Sequence, residues 1–368
     1  MKRLTKFIIL LLALSMLFAC GKNKTAEKEP EVKPEVKEEL PPEPEKFYSP
    51  LGGSEVEEDI EGKRVWGIMI DNHPDARPQS GLNDAEIIYE FKAEGQYTRY
   101  LAMFMKNYPK IVGPVRSARP YFVDTTAEYN GLYIHWGGSE AGYAEIPKMG
   151  VDDLDGIALE GITFFRNKDV KKKRPHNGYT TDELVLAQME KRNISKTAEF
   201  KPFNFDDEVM DDAMKPCDDI TLNFFPTHKM RYEYVPEDGN YRIYRNDEVL
   251  VDEDYVINNK PGAEVRVDNL IVEFADSKVT GPKDTLTINH IGEGKGLLIS
   301  SGRIIDITWE KPDAAAKTVF KDNVGNKITL KRGRTWISVL DPSDPIEILP
   351  SDAPEEAQEE TEKVETNK

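Results

Sequence analysis

Four short stretches in the first half of this 368-residue sequence hold most of the residue types that could do chemistry. Asp71-Asn72-His73 leads on to Arg77, and Arg116-Ser117-Ala118-Arg119 lies between Pro114 and Pro120. His135 precedes Gly137-Gly138-Ser139, and Arg174-Pro175 precedes His176-Asn177. A guanidinium fork matches two oxygens of a carboxylate or phosphate, so Arg77, Arg99, Arg116 and Arg119 together suit an anion. The competing reading pairs each arginine with its own carboxylate among Asp71, Asp75, Glu90 and Glu94. The backbone N–H groups of Gly137-Gly138-Ser139, if they open a helix, would add an anion-friendly terminus.

Three of the five histidines, His73, His135 and His176, fall in these loops. Imidazole serves as acid–base near neutral pH or as a metal ligand. With Asp71 they have the composition of a zinc site keeping one position open. No compact spacing such as His-Glu-x-x-His supports that, so structural hydrogen bonding is expected, with no metal and no cofactor. Ser117 or Ser139 could act as a nucleophile beside a histidine, yet Gly138-Ser139-Glu140 lacks the Gly-x-Ser-x-Gly elbow. The expected ligand-binding set is therefore Asp71, Asn72, His73, Arg77, Arg99, Arg116, Ser117, Arg119, His135, Ser139, His176 and Asn177, with no catalytic role assigned. His228 and His290 read as structural or surface residues. The run Lys171 to Arg174 reads as a solvated loop.

These loops need stiff elements behind them. Arg64 to Ile70, Glu86 to Phe91, Thr98 to Phe104 and Leu132 to His135 are apolar enough for strands, the middle two joined around Gly95 as a hairpin. Thr180 to Glu183 fits a capping box with Thr180 as cap, opening a helix through Arg192. Ser139 to Met149 suggests another helix, which Pro147 would end early. Beyond Asp206, short strand candidates at 220–225, 231–235, 241–244, 265–274, 286–291, 297–300, 303–309 and 328–330 alternate with turn signals. Gly292-x-Gly294-x-Gly296 between two of them is expected to be a turn. The fold expected is α+β: a mixed α/β N-terminal domain over 48–205 and a smaller, mostly antiparallel β domain over 206–349.

The N-terminus supplies an address. Lys2, Arg3 and Lys6 precede an apolar run from Phe7 to Phe18, and Leu17-Phe18-Ala19-Cys20 has the form of a lipoprotein cleavage site. In that reading the Cys20 thiol takes a diacylglycerol, residues 1–20 act as signal, and palmitate-type chains hold the protein at the extracytoplasmic face of a bacterial membrane. Residues 21–47, rich in Pro, Glu and Lys, read as a semi-stiff tether, and 350–368 as an acidic disordered tail. The formal charge of −18 becomes −21 without the three basic residues of the leader. That balance excludes a broad nucleic-acid footprint and docking on anionic headgroups through a basic face, leaving the lipid as the only membrane contact. Apart from Cys20 the one cysteine is Cys217, so the mature chain has no intramolecular disulfide.

Met69-Ile70-Asp71-Asn72-His73-Pro74 with Arg77-Pro78-Gln79-Ser80-Gly81-Leu82, Gly113-Pro114-Val115-Arg116-Ser117-Ala118-Arg119, and His135-Trp136-Gly137-Gly138-Ser139 resemble the YerB-like bacterial lipoproteins over roughly 48–345. The resemblance implies the lipid anchor and the pairing of an α/β N-terminal domain with a smaller C-terminal one. It assigns no catalytic role. The function expected is binding of an anionic envelope ligand: a cell-wall glycan, a peptide-stem carboxylate or a polyprenyl phosphate. The β domain would dock other envelope proteins. The alternatives are an envelope enzyme acting on a phosphate or glycan bond, with His73 or His135 as acid–base, and a non-catalytic scaffold.

Overall fold

A computed structural model describes residues 46–209, 211–253, 263–281 and 285–349. Cys20, the signal, all but the end of the tether, and the acidic tail lie outside the described residues. The tether gives way to structure at once, since Phe47–Tyr48 already pairs with Glu55–Val56.

An 11-stranded mixed sheet organises the fold. Its strands in chain order are β1 Trp66–Asp71, β2 Ile87–Ala93, β3 Tyr97–Phe104, β4 Leu132–His135, β5 Asp153–Asp155, β6 Lys215–Pro216, β7 Asn269–Phe274, β8 Gly292–Ser300, β9 Arg303–Lys311, β10 Val319–Lys321 and β11 Thr335–Leu340. Their spatial order is β6-β9-β8-β7-β11-β2-β3-β1-β4-β5, with β10 on β9. The expected hairpin is the β2–β3 pair. Strands β11 and β2 pair in parallel, Thr335 opposite Ile87 through Val339 opposite Phe91, so the sheet runs unbroken from one half of the chain into the other.

Apolar side chains leave both faces of this sheet, which is why β1 and β2 read as continuous apolar runs. Trp66, Ile68 and Ile70 pack on one side with Val185 and Met189 of the helix Asp182–Arg192 and with Ile220, Leu222 and Tyr232 of a second, antiparallel sheet. That second sheet contains Asp219–Phe225, His228–Val235, Asn240–Arg245 and Ile346–Leu349. Val65, Met69 and Tyr133 face the other way, against Tyr121 and Phe122 of helix α1 and Ile146 of helix α2. Helices α1, α2 and α3 span Pro120–Ala127, Glu140–Met149 and Asp182–Arg192. Gly67 lets α1 approach, because a Cβ there would sit 2.8 Å from Thr126 Oγ1. Among the described residues no helix is long and apolar enough to cross a membrane.

The molecule is α+β, and four local expectations are corrected. Thr181, not Thr180, caps α3, its hydroxyl accepting from Leu184 N at 3.3 Å, while Thr180 bonds the Thr163 carbonyl. Pro147 does not shorten α2; it sits inside the helix, which ends on the left-handed Gly150. The three-glycine run is not a turn. It lies within β8, where Gly294 faces Trp309 across the pair and any Cβ would strike the indole at 2.5 Å. The basic run is not wholly solvated, for Lys172 is inserted between Pro78 O, Tyr179 and Glu253.

Candidate anion-binding cleft

The loop after β1 is held from both sides. Asn72 is buried; its amide donates to Thr98 Oγ1 at 2.7 Å and its Oδ1 accepts from Gln79 and Arg245. Its carbonyl accepts from Arg77 Nε and Nη2. Asn72 and Arg77 therefore brace the loop and do not face a ligand. Asp71, at the end of β1, accepts from His176 Nδ1 at 2.7 Å and lies 3.0 Å from Arg116 Nε. Burial alone would raise the Asp71 carboxyl, but the His176 hydrogen bond and the Arg116 charge outweigh it and hold it below the ordinary carboxylate range. The His73 ring stacks on His176 at 4.4 Å, so residues from two distant loops meet here.

The arginines divide by environment. Arg119 forms a bidentate pair with Glu94, at 2.5 and 2.8 Å, and Arg99 shares the same carboxylate at 3.2 Å. Burial raises Glu94, yet Arg119 and Arg99 bring it below its usual range. Burial and the neighbouring Arg119 lower Arg99. Arg116 differs from both. Its Nε meets Asp71 as a charge contact without hydrogen-bond geometry, and among the described residues its guanidinium has no hydrogen-bond acceptor.

Arg116 lines a cleft of about 370 Å³ with Ser117, Gly137, Gly138, Tyr143, Ile157, Arg166 and Pro175. The Arg166 guanidinium sits over the Trp136 ring at 3.8 Å, held by Glu160 and the Pro175 carbonyl. Two of the three N–H groups of the glycine loop are taken: Gly137 N goes to Asp155 Oδ1 and Ser139 N to the Ala118 carbonyl. Ser139 is spent as the α2 cap on Gly142 N, and the Ser117 hydroxyl donates to Trp136 O. Neither is placed as a nucleophile beside a histidine.

His135 is fully buried, with Nδ1 on Gly137 O at 2.8 Å and Nε2 on Asp153 at 3.1 Å. It shapes the glycine loop from beneath. Asn177 turns a buried Oδ1 that finds no hydrogen-bond partner among the described residues. Folding thus gathers Asp71, His73, Arg116, Ser117 and His176 around the cleft and one flank. It commits Asn72, Arg77, Arg99, Arg119, His135 and Ser139 to supporting bonds. Arg166 was missed by sequence reasoning because it stands outside the loop runs. Its one local signal is the aromatic pair Phe164-Phe165 before it.

Two family models match, described as the N-terminal and C-terminal domains of a protein of unknown function (DUF3048), over residues 51–195 and 220–337. The chain is 29% identical over 304 residues to a protein of Bacillus subtilis (strain 168) named "Putative lipoprotein YerB", covering 82% of this chain and 88% of that one. It also resembles the crystal structure of the YerB protein from Bacillus subtilis, with a TM-score of 0.72 and 27% identity over 82% of this chain and 99% of that one. The residues that carry the resemblance build the cleft and its supports, and the chain belongs to this two-domain YerB-like family.

Proposed function

We propose that the protein is a lipid-anchored lipoprotein at the extracytoplasmic face of the membrane that binds an anionic envelope ligand in the Arg116 cleft. The observation that carries this reading is the guanidinium of Arg116, partly buried, facing a cleft and matched to no hydrogen-bond acceptor among the described residues. A half-desolvated cation with open donors gains more from a carboxylate or phosphate than an exposed one does. Arg166, backed by Trp136, gives a second positive group on the same wall. Muropeptides, pyrophosphate and a soluble polyprenyl-phosphate analogue represent the candidate ligand classes. Thermal unfolding of the protein with each of them tests the reading. A ligand at a hundred times its Kd stabilises by about 2.7 kcal/mol, and that shift should vanish in Arg116→Ala. The reading fails if no anion shifts the parent.

A second reading, an envelope enzyme, is favoured by the His176–Asp71 pair. A carboxylate on Nδ1 with Nε2 left open is the arrangement of an oriented acid–base histidine. The buried His135 has neither nitrogen open. Turnover of a pyrophosphate-linked lipid, abolished by His176→Ala, would favour this over binding alone.

A further inference from the structure

His73, Asp75 and His176 bring one nitrogen or carboxylate oxygen each to within 4.8 Å of one another. We propose that these three side chains form a site for a zinc-class divalent cation, leaving a fourth position open. The proposal does not depend on the anion reading.

The strongest support is behind the ligands. Asp71 can only accept, so the 2.7 Å bond to His176 fixes the proton on Nδ1 and leaves the lone pair on Nε2. A buried carboxylate orienting a ligand histidine in this way is the usual outer-shell partner at such metal centres. His73 Nδ1 also carries a lone pair, engaged by Asp75 N and 3.8 Å from Asp75 Oδ2, so a cation there would take the place of that backbone hydrogen bond. Two imidazoles with one carboxylate suit zinc and its neighbours; calcium and magnesium prefer oxygen alone. Compact spacing gave no hint of this, because His176 arrives from a loop 105 residues after Asp71.

Closure must accompany binding. Tetrahedral ligands with bonds near 2.1 Å stand about 3.4 Å apart, closer than the present spread. The His73 and His176 rings stack at an interplanar angle of 21°, whereas a cation lies in the plane of each ring that holds it. His73 therefore turns out of the stack as Asp75 swings in. Both are free enough to do so, with side chains 29% and 73% exposed, while His176 is held by Asp71.

The test is zinc uptake by the full-length chain in detergent, stripped with chelator and followed by calorimetry. One ion per chain is expected, with affinity at least about tenfold weaker in Asp75→Ala and in His73→Ala. Asp75 is exposed, and an unchanged unfolding curve without metal certifies that its variant folds. No saturable uptake at one equivalent, or uptake undiminished in both variants, overturns the site.

Discussion

Arg99, Arg116 and Arg119 occupy one neighbourhood, and their surroundings decide what each can do. Glu94 satisfies the first and third, whereas among the described residues Arg116 has only a charge contact to Asp71, a carboxylate it shares with His176. The sequence shows three equivalent guanidiniums; only folding distinguishes braces from an open donor. The same reasoning singles out Glu90, a fully buried carboxylate that accepts from Thr98 at 2.6 Å, His228 at 2.9 Å and Trp336 at 3.1 Å. Three donors then face a cavity when the acceptor is removed. Glu90→Ala should cost about 3 kcal/mol in urea unfolding. A loss under about 1 kcal/mol would show that the cluster is not the structural tie its geometry suggests.

Elements were legible wherever burial left a periodic or continuous trace. β1 to β4 are apolar runs because both faces are covered, and α3 announces itself through a capping signal one residue from the true cap, Thr181. Helix α1 did not, since Tyr121 through Thr126 are all buried and no polar stripe marks an outer face. The glycines of β8 mimic a turn because their reason, the Trp309 ring opposite, lies on another strand. On β7, burial and then the Glu128 carboxylate push Glu273 up to about 8. Burial likewise brings Lys317 nearby down to about 8. Because the folded Glu273 holds its proton more tightly than the unfolded chain does, its stabilisation is complete below about pH 4.5 and lost as pH rises through 8. Glu273→Gln removes that dependence while leaving Lys317 common to both proteins. Relative to the variant, the parent should lose stability on the order of 1.4 kcal/mol per pH unit between those values. Urea midpoints at pH 5, 7 and 9 measure it, and parallel profiles would contradict the assignment.

At the scale of the whole molecule, two family domains share one sheet. The β11–β2 pairing crosses between them, and Lys311 meets Glu128 at 2.6 Å in a buried ion pair doing the same. Loss of the C-terminal half would open the β2 edge and strip Glu90 and Glu128 of partners. Residues 46–205 alone should therefore be insoluble or unfolded, and the full chain should melt in one transition by circular dichroism and tryptophan fluorescence alike. A soluble, cooperatively folded fragment would contradict this. The cleft was half legible: its loops were visible as strand ends rich in Gly, Pro and Arg, but their meeting was not, because Arg116, Arg166 and His176 converge only through the sheet. The most direct test of the account is the affinity of the anion that stabilises the parent, measured for the parent, Arg116→Ala and Lys148→Ala. Lys148, exposed on α2, controls for net charge. A loss of at least about tenfold is expected in Arg116→Ala and little change in Lys148→Ala; equal affinity in all three, or equal losses in both variants, would contradict an anion site at Arg116.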